Sequence, residues 1–198
     1  MFSFFPSISR FQLKTERLII RPYRVNDAGQ LFEFVKRNRE RMVDYLPLTV
    51  QENYSGMASR QFIRKRKSEY QEAKSCFMGI FLPGNKLAGQ IALREINTRV
   101  PKCEMGYVID ADAAGKGYTT EALQAVCNWC FDNLQMQKVS LRIETINTAS
   151  LKVAAAAGFQ HTALLRNDFR AADGRLMDVE LWEKFSGFAG VLNVECRM

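Results

Sequence analysis

Glu104-Met105-Gly106-Tyr107-Val108-Ile109-Asp110, followed by Ala114-Gly115-Lys116-Gly117-Tyr118-Thr119-Thr120-Glu121-Ala122-Leu123, is the stretch on which the fold turns. Residues 103–110 read as a strand. Gly115-Lys116-Gly117 then opens a helix with apolar positions at Tyr118, Ala122, Leu123, Val126, Trp129 and Cys130. A strand that passes through a glycine turn into a helix start offers an anion site. The first amides of the helix lack intrahelical partners, and the helix dipole favours negative charge. Gly115 and Gly117 let the backbone approach a phosphate with no Cβ in the way, and Lys116 adds positive charge. The turn alone fits an ordinary capped loop equally well. Two other phosphate motifs fail: no Gly stands five positions before Gly115, as a P-loop needs, and Thr120 occupies the last position of a dinucleotide fingerprint.

Upstream, residues 15–24 read as a strand ending near Pro22, with Asn26 and Asp27 offering N-cap chemistry to a helix through Leu31, Phe34 and Val35. A second helix is predicted over residues 50–72, with Val50, Tyr54, Met57, Phe62 and Tyr70 along one stripe. Residues 76–82 and 87–95 read as strands joined by the turn Pro83-Gly84-Asn85. Downstream come a strand at 138–145 and an Ala-rich helix at 150–157, closed by Gly158 as its C′ residue. Two closing strands, 162–167 and 177–184, flank Asp173-Gly174, and the tail from Ser186 shows no pattern. The order predicts an α+β fold: a mixed, mostly antiparallel central sheet with helices on both faces.

The 198 residues fit one domain over 1–198, and 47% hydrophobic content is enough for a core without disulfides or metal. Lys and Arg number 28 against 21 Asp and Glu, a net +7 that favours anionic partners. The basic clusters Lys36, Arg37, Arg39, Arg41 and Arg60, Arg64, Lys65, Arg66, Lys67 lie on helical spacing and read as solvated faces. Nucleic-acid binding is disfavoured, because only Phe62 interleaves the second cluster. Five scattered cysteines suit reduced thiols, and Cys127 and Cys130 fall about two turns inside a helix, where core packing explains them better than redox chemistry. The single His161 disfavours a zinc site and leaves a hydrolytic triad one candidate base. No secretory signal or membrane-length apolar run is present, so a soluble, cytoplasmic protein is expected.

Ala114-Gly115-Lys116-Gly117-Tyr118-Thr119 resembles the acetyl-CoA pyrophosphate loop of the GNAT N-acetyltransferase superfamily, Gln/Arg-x-x-Gly-x-Gly/Ala, with Ala114 and Thr119 departing from it. Thr15-Glu16-Arg17-Leu18-Ile19-Ile20-Arg21-Pro22 resembles the opening strand of that superfamily's RimJ/RimL branch, the ribosomal-protein N-terminal acetyltransferases. Glu104 to Ile109, Thr120-Glu121-Ala122-Leu123, and Asn147-Thr148-Ala149-Ser150 with Gly158-Phe159 resemble further elements of the branch. The resemblance spans about residues 15–185 and leaves 186–198 unassigned.

It implies a GNAT fold and direct acetyl transfer from acetyl-CoA to an amine. The backbone at Val108, Ile109 and Asp110 would hold the pantetheine arm and polarise the thioester, and Gly115, Lys116, Gly117, Tyr118, Thr119 and Thr120 would hold the diphosphate. Many relatives protonate the departing thiolate with a Tyr that is Ala154 here, so Ser150 is expected to do so, with Asn147 on the pantetheine; helix capping explains both residues too. Glu104 is a candidate base through water or an ion pair beneath the site. Asp168, near a substrate-facing position of relatives, reads as a solvated turn residue. The expected acceptor is a protein N-terminal amine. A polyamine or aminoglycoside acceptor, or a weakly catalytic acyl-CoA-binding module, is the alternative. The chain is expected as a monomer or homodimer.

Overall fold

The computed structural model describes residues 5–187. The chain runs β1 (Leu13–Lys14), β2 (Ile19–Pro22), α1 (Ala28–Met42), α2 (Pro47–Glu52), α3 (Gly56–Gln71), β3 (Cys76–Leu82), β4 (Lys86–Asn97), β5 (Lys102–Ile109), α4 (Tyr118–Asp132), β6 (Lys138–Glu144), α5 (Thr148–Ala156), β7 (Gln160–Arg170) and β8 (Leu176–Phe185). The strands form one sheet in the order β1-β2-β3-β4-β5-β6-β8-β7. Every pairing is antiparallel except β5 with β6.

Alternation along the central strands builds two cores. Met78, Ile80, Ile91, Leu93 and Met105 pack with Ala122, Leu123 and Val126 of α4 on one face. Phe81 and Leu87 pack with Leu31, Phe34 and Val35 of α1 and Phe62 of α3 on the other. The period of two sends neighbours such as Ile80 and Phe81 to opposite faces, so helices cover both. At the end of α5 Gly158 adopts φ 83°, its amide bonds to Ala155 and the Phe159 amide bonds to Ala154, a Schellman closure that leaves Phe159 buried.

The predicted helix over residues 50–72 is two helices. Asn53 folds its side-chain amide back onto the Thr49 carbonyl (2.8 Å), and Ser55 caps α3 by accepting from the Ala58 amide (3.1 Å). The break turns Tyr54 and Met57 out to solvent, while Val50, Phe62 and Tyr70 remain buried. Residues 15–24 likewise hold a turn: the Thr15 amide bonds to the Leu18 carbonyl, and only Ile19–Pro22 continue as strand. Asp27 holds the N-cap position of α1, but its side chain makes no cap bond to that helix. Its carboxylate takes a bidentate pair from Arg21 (2.7 and 3.0 Å) and the Arg24 amide. Cys127 and Cys130 lie in the core with Cys76 and Cys103, all free thiols, and burial pushes the Cys127 thiol up to about 12. Cys196 and residues 188–198 lie outside the described residues. Among the described residues no helix is long and apolar enough to cross a membrane.

Candidate active site

The site begins where two parallel strands part. β5 and β6 pair only at Lys102–Lys138, Cys103–Val139 and Glu104–Ser140, although β5 runs on to Ile109 and β6 to Glu144. On its other side β5 stays paired with β4 through Ile109–Gly89. The edge of β5 beyond Glu104 therefore faces a wedge with no strand partner. An extended polar ligand can take that place by strand-like hydrogen bonding. A cavity in the wedge is lined by Met105, Gly106, Tyr107, Leu141, Asn147 and Ser150, among others.

At the open end of the wedge lies the glycine loop. Val108 and Ile109 sit at the end of β5, and the Asp110 amide is already spent on the Ala88 carbonyl (2.7 Å). Burial pulls the Asp110 carboxyl up, but the Arg37 guanidinium at 2.5 Å and the Asp112 amide outweigh it and hold it below the usual range. Gly115 and Gly117 have φ of 74° and 77°, the left-handed region that glycine enters without strain. Gly117 starts α4 with no side-chain cap. The amides of Gly115, Lys116, Gly117, Tyr118, Thr119 and Thr120 donate to no group among the described residues, and the first closed bond is Glu121 to Gly117. Six adjacent free donors at a helix start fit a diphosphate.

The outer side of the loop is held by residues from far upstream. The Arg17 guanidinium lies over the Tyr118 ring (4.8 Å) and donates to the Lys116 carbonyl (2.9 Å). Arg17 also pairs with Glu121 (2.6 Å), which accepts from the Thr15 hydroxyl (2.5 Å) and the Arg17 amide (3.0 Å). Lys116 bends its Nζ back to the Asp112 carbonyl (2.8 Å). Lys152 of α5 closes the far wall of the hollow around the loop.

α5 enters the wedge from the other side. Asn147 Oδ1 accepts from the Ser150 amide (3.1 Å), the capping role, and its side-chain NH2 donates to nothing among the described residues. The Tyr107 hydroxyl donates to the Ser150 carbonyl (3.1 Å). Ser150 is thus fixed at both backbone ends, and its hydroxyl stands within hydrogen-bonding reach of the Tyr107 hydroxyl. Ala154 is fully buried in the core.

Glu104 lies deeper. It accepts from Arg94 (3.0 Å) and stands 3.6 Å from Arg142, which pairs in turn with Asp168 (2.8 Å). Asp168 is exposed, as expected, but sits on β7 rather than in a turn and joins this network. Glu104 lines neither the wedge nor the second cavity described next.

A larger cavity of about 200 Å³ lies between the sheet and α2–α3, and Tyr45, Leu46, Arg94, Gly106 and Tyr107 wall both it and the wedge. A Cβ on Gly106 would meet Arg94 Nη2 at 3.2 Å, so glycine lets that guanidinium lie on the strand at the seam. Glu144 is the one carboxylate among the described residues lining either cavity. It is 6% exposed and 3.5 Å from Arg175. Burial and then hydrogen bonding to Glu144 raise the neighbouring Tyr45 hydroxyl to about 12.

Sequence reading named the glycine loop, Asn147 and Ser150; Asn147 and Ser150 line the wedge, and the loop lines a separate hollow against Lys152, Val153 and Ala156 of α5. It missed Tyr45, Glu144 and Lys152, whose neighbours in space are distant in sequence. Arg17 and Tyr107 stood inside quoted motifs, without an assigned contact.

Residues 17–160 match the profile of the acetyltransferase (GNAT) domain. The chain is 28% identical over 171 residues to the N-acetyltransferase p20 of Bacillus licheniformis, covering 86% of this chain and 93% of that protein. It is 21% identical over 180 residues to the ribosomal protein uS5-alanine N-acetyltransferase of Escherichia coli, covering 90% and 92%. Among solved structures, the ribosomal-protein-S5-alanine acetyltransferase of Vibrio fischeri superposes with a TM-score of 0.82 at 18% identity, over 91% of this chain and 100% of that one. The L7/L12 alpha-N-protein acetyltransferase RimL, in complex with coenzyme A, gives 0.82 at 19% identity over 88% and 98%. The profile covers most of the chain and falls on the parted strands and the free-amide loop, so the chain belongs to the GNAT acetyltransferase family and is an acetyl-CoA-dependent N-acetyltransferase.

Proposed function

We propose that this enzyme passes the acetyl group directly to the N-terminal amine of a protein. The observation that carries the reading is the seam at Gly106 and Tyr107, where the cavity under α2–α3 opens onto the unpaired edge of β5. An amine entering there meets the thioester without a covalent relay through the enzyme. The relatives named for ribosomal proteins support a protein acceptor. Polycationic small amines call for carboxylates in their cavity, whereas Arg66 and Arg94 are the charged residues lining this one.

Bound acetyl-CoA supplies an activated acetyl thioester. The amides from Gly115 to Thr120 hold its diphosphate, the side-chain NH2 of Asn147 meets the pantetheine, and the backbone of Val108 and Ile109, continuing to Asp110, aligns the arm and polarises the thioester carbonyl. Ser150, whose hydroxyl stands beside that of Tyr107 in the wedge, returns a proton to the departing sulfur. The acceptor must lose a proton to attack. Glu144, buried beside Tyr45 where the cavities share a wall, takes it through water. Glu104 holds Arg94 and Arg142 in place. We place the enzyme in the cytoplasm, which the free core thiols support, and read it as one domain, which the single continuous sheet supports.

Coenzyme A release is the test, measured with peptides bearing free or blocked N-termini beside a polyamine. Turnover with free N-termini alone is the expected result; turnover confined to the polyamine overturns the reading.

A further inference from the structure

The cavity that meets the wedge has a shape and chemistry of its own. Its walls include Phe62, Phe77, Leu46, Pro47, Ala92 and Phe169, and no carboxylate is among its lining residues. Arg66 is part of this apolar wall. Its guanidinium lies over both the Phe62 ring (4.8 Å) and the Phe77 ring (4.6 Å), and its Nη atoms pair with Glu52 and Glu69, each at 2.6 Å. That charge is neutralised from outside, and the cavity receives mainly ring and stem. Leu48 of α2, among the cavity's lining residues, is 66% exposed.

We propose that the acceptor presents a bulky, uncharged apolar first residue, such as Leu, Met or Phe, whose side chain fills this cavity while its α-amine lies at the Gly106–Tyr107 seam. The inference rests on the reading of the acceptor as a protein N-terminus. Volume argues for it: a cavity of about 150 Å³ lined by aliphatic and aromatic side chains is enough to enclose benzene, and this one measures about 200 Å³. An Ala methyl or a Ser hydroxymethyl leaves most of it empty or wet, so little binding energy reaches the transition state. A Lys or Arg brings a charge among Arg66 and Arg94 with no carboxylate in the lining to meet it. The exposed Leu48 offers further apolar surface to residues that follow the first.

Because one methylene in an apolar pocket shifts specificity by about tenfold or more, the step from Ala to Leu is expected to raise kcat/KM at least about a hundredfold. The experiment measures coenzyme A release with peptides identical except for the first residue: Ala, Ser, Leu, Met, Phe, Asp and Lys. Leu, Met and Phe lead if the proposal holds; Ala or Ser equal to or ahead of them overturns it. The variant Ala92→Leu, which grows into the cavity from β4, is expected to shrink or reverse the preference, and a preference left as in the wild type counts against the assignment. Acetyl-CoA titration verifies that this variant is folded, and Ala92→Val replaces it if it is not. If no peptide turns over while a small amine does, the protein-acceptor reading falls and takes this inference with it. If peptides turn over with small first residues preferred, this inference alone falls.

Discussion

α4 begins on the hollow beside the glycine loop and α5 on the wedge, and they finish their backbones in opposite ways. α4 starts at Gly117, which has no side chain to cap it, and a run of amides from Gly115 to Thr120 is left without partners among the described residues. α5 starts at Asn147, whose carbonyl oxygen accepts from the Ser150 amide, and the Tyr107 hydroxyl secures the Ser150 carbonyl. An uncapped start holds charge, because its donors and its dipole point at whatever anion arrives. A capped start holds a side chain still, because the backbone beneath it is satisfied and only the hydroxyl is left to act. One helix end is a receptor made of backbone; the other is a mount for Ser150.

Ser150→Ala strikes that contrast hardest. Loss of a proton donor costs about a hundredfold or more in kcat, and Tm should fall only slightly, because the Tyr107 hydroxyl that the Ser150 side chain meets keeps its bond to the Ser150 carbonyl. A kcat close to the wild-type value would reduce the start of α5 to a cap and nothing else. Gly117→Val tests the other helix. At φ 77° a β-branched residue is strained, and its Cβ would sit 3.3 Å from Arg17 Nη2. Strain of about 2 kcal/mol displayed in the loop weakens acetyl-CoA binding about thirtyfold by calorimetry, whereas an unaltered Kd would move the diphosphate elsewhere. Asn147→Ala removes one cap, costing about 1 kcal/mol and lowering Tm by about 2–4 °C in a chain of this size. A rise in KM for acetyl-CoA should accompany it; a lower Tm with KM unmoved would make Asn147 purely structural.

The smallest effect concerns the clamp outside α4. Burial raises the Glu121 carboxyl, but the Thr15 hydroxyl and the Arg17 amide and guanidinium outweigh it, leaving its pKa below the ordinary 4.5. A depressed folded pKa gives stability that is present above 4.5 and is lost as the pH falls through the lowered value. Thermal melts of wild type and Glu121→Gln should therefore differ slightly at pH 7 and converge in acid. Curves that stay parallel down to the acid limit would show that Glu121 contributes nothing through its charge.

The fold was legible where local chemistry decided it. Strands 76–82 and 103–110, the Pro83-Gly84-Asn85 turn and the Gly158 closure are written in alternation and in residues suited to left-handed backbone. The helix over 50–72 failed because its apolar spacing survives the break: Tyr54 and Met57 are spaced as core residues, yet Asn53 and Ser55 interrupt the helix and turn them outward. Asp27 takes the N-cap position of α1 without giving that helix a side-chain bond. Its local neighbours suit an N-cap, but Arg21 on β2 captures its carboxylate.

The sequence by itself determined the glycine loop, the strand before it and the capped Ser150, because each is a matter of backbone conformation over a few consecutive residues. Only the tertiary structure decided that β5 and β6 part after three pairs, that Arg17 and Glu121 clamp the loop from residues 104 apart, and that Glu144 rather than Glu104 lines the wedge. Those outcomes depend on how whole elements pack and twist. Side chains distant along the chain become neighbours only after both faces of the sheet have been covered.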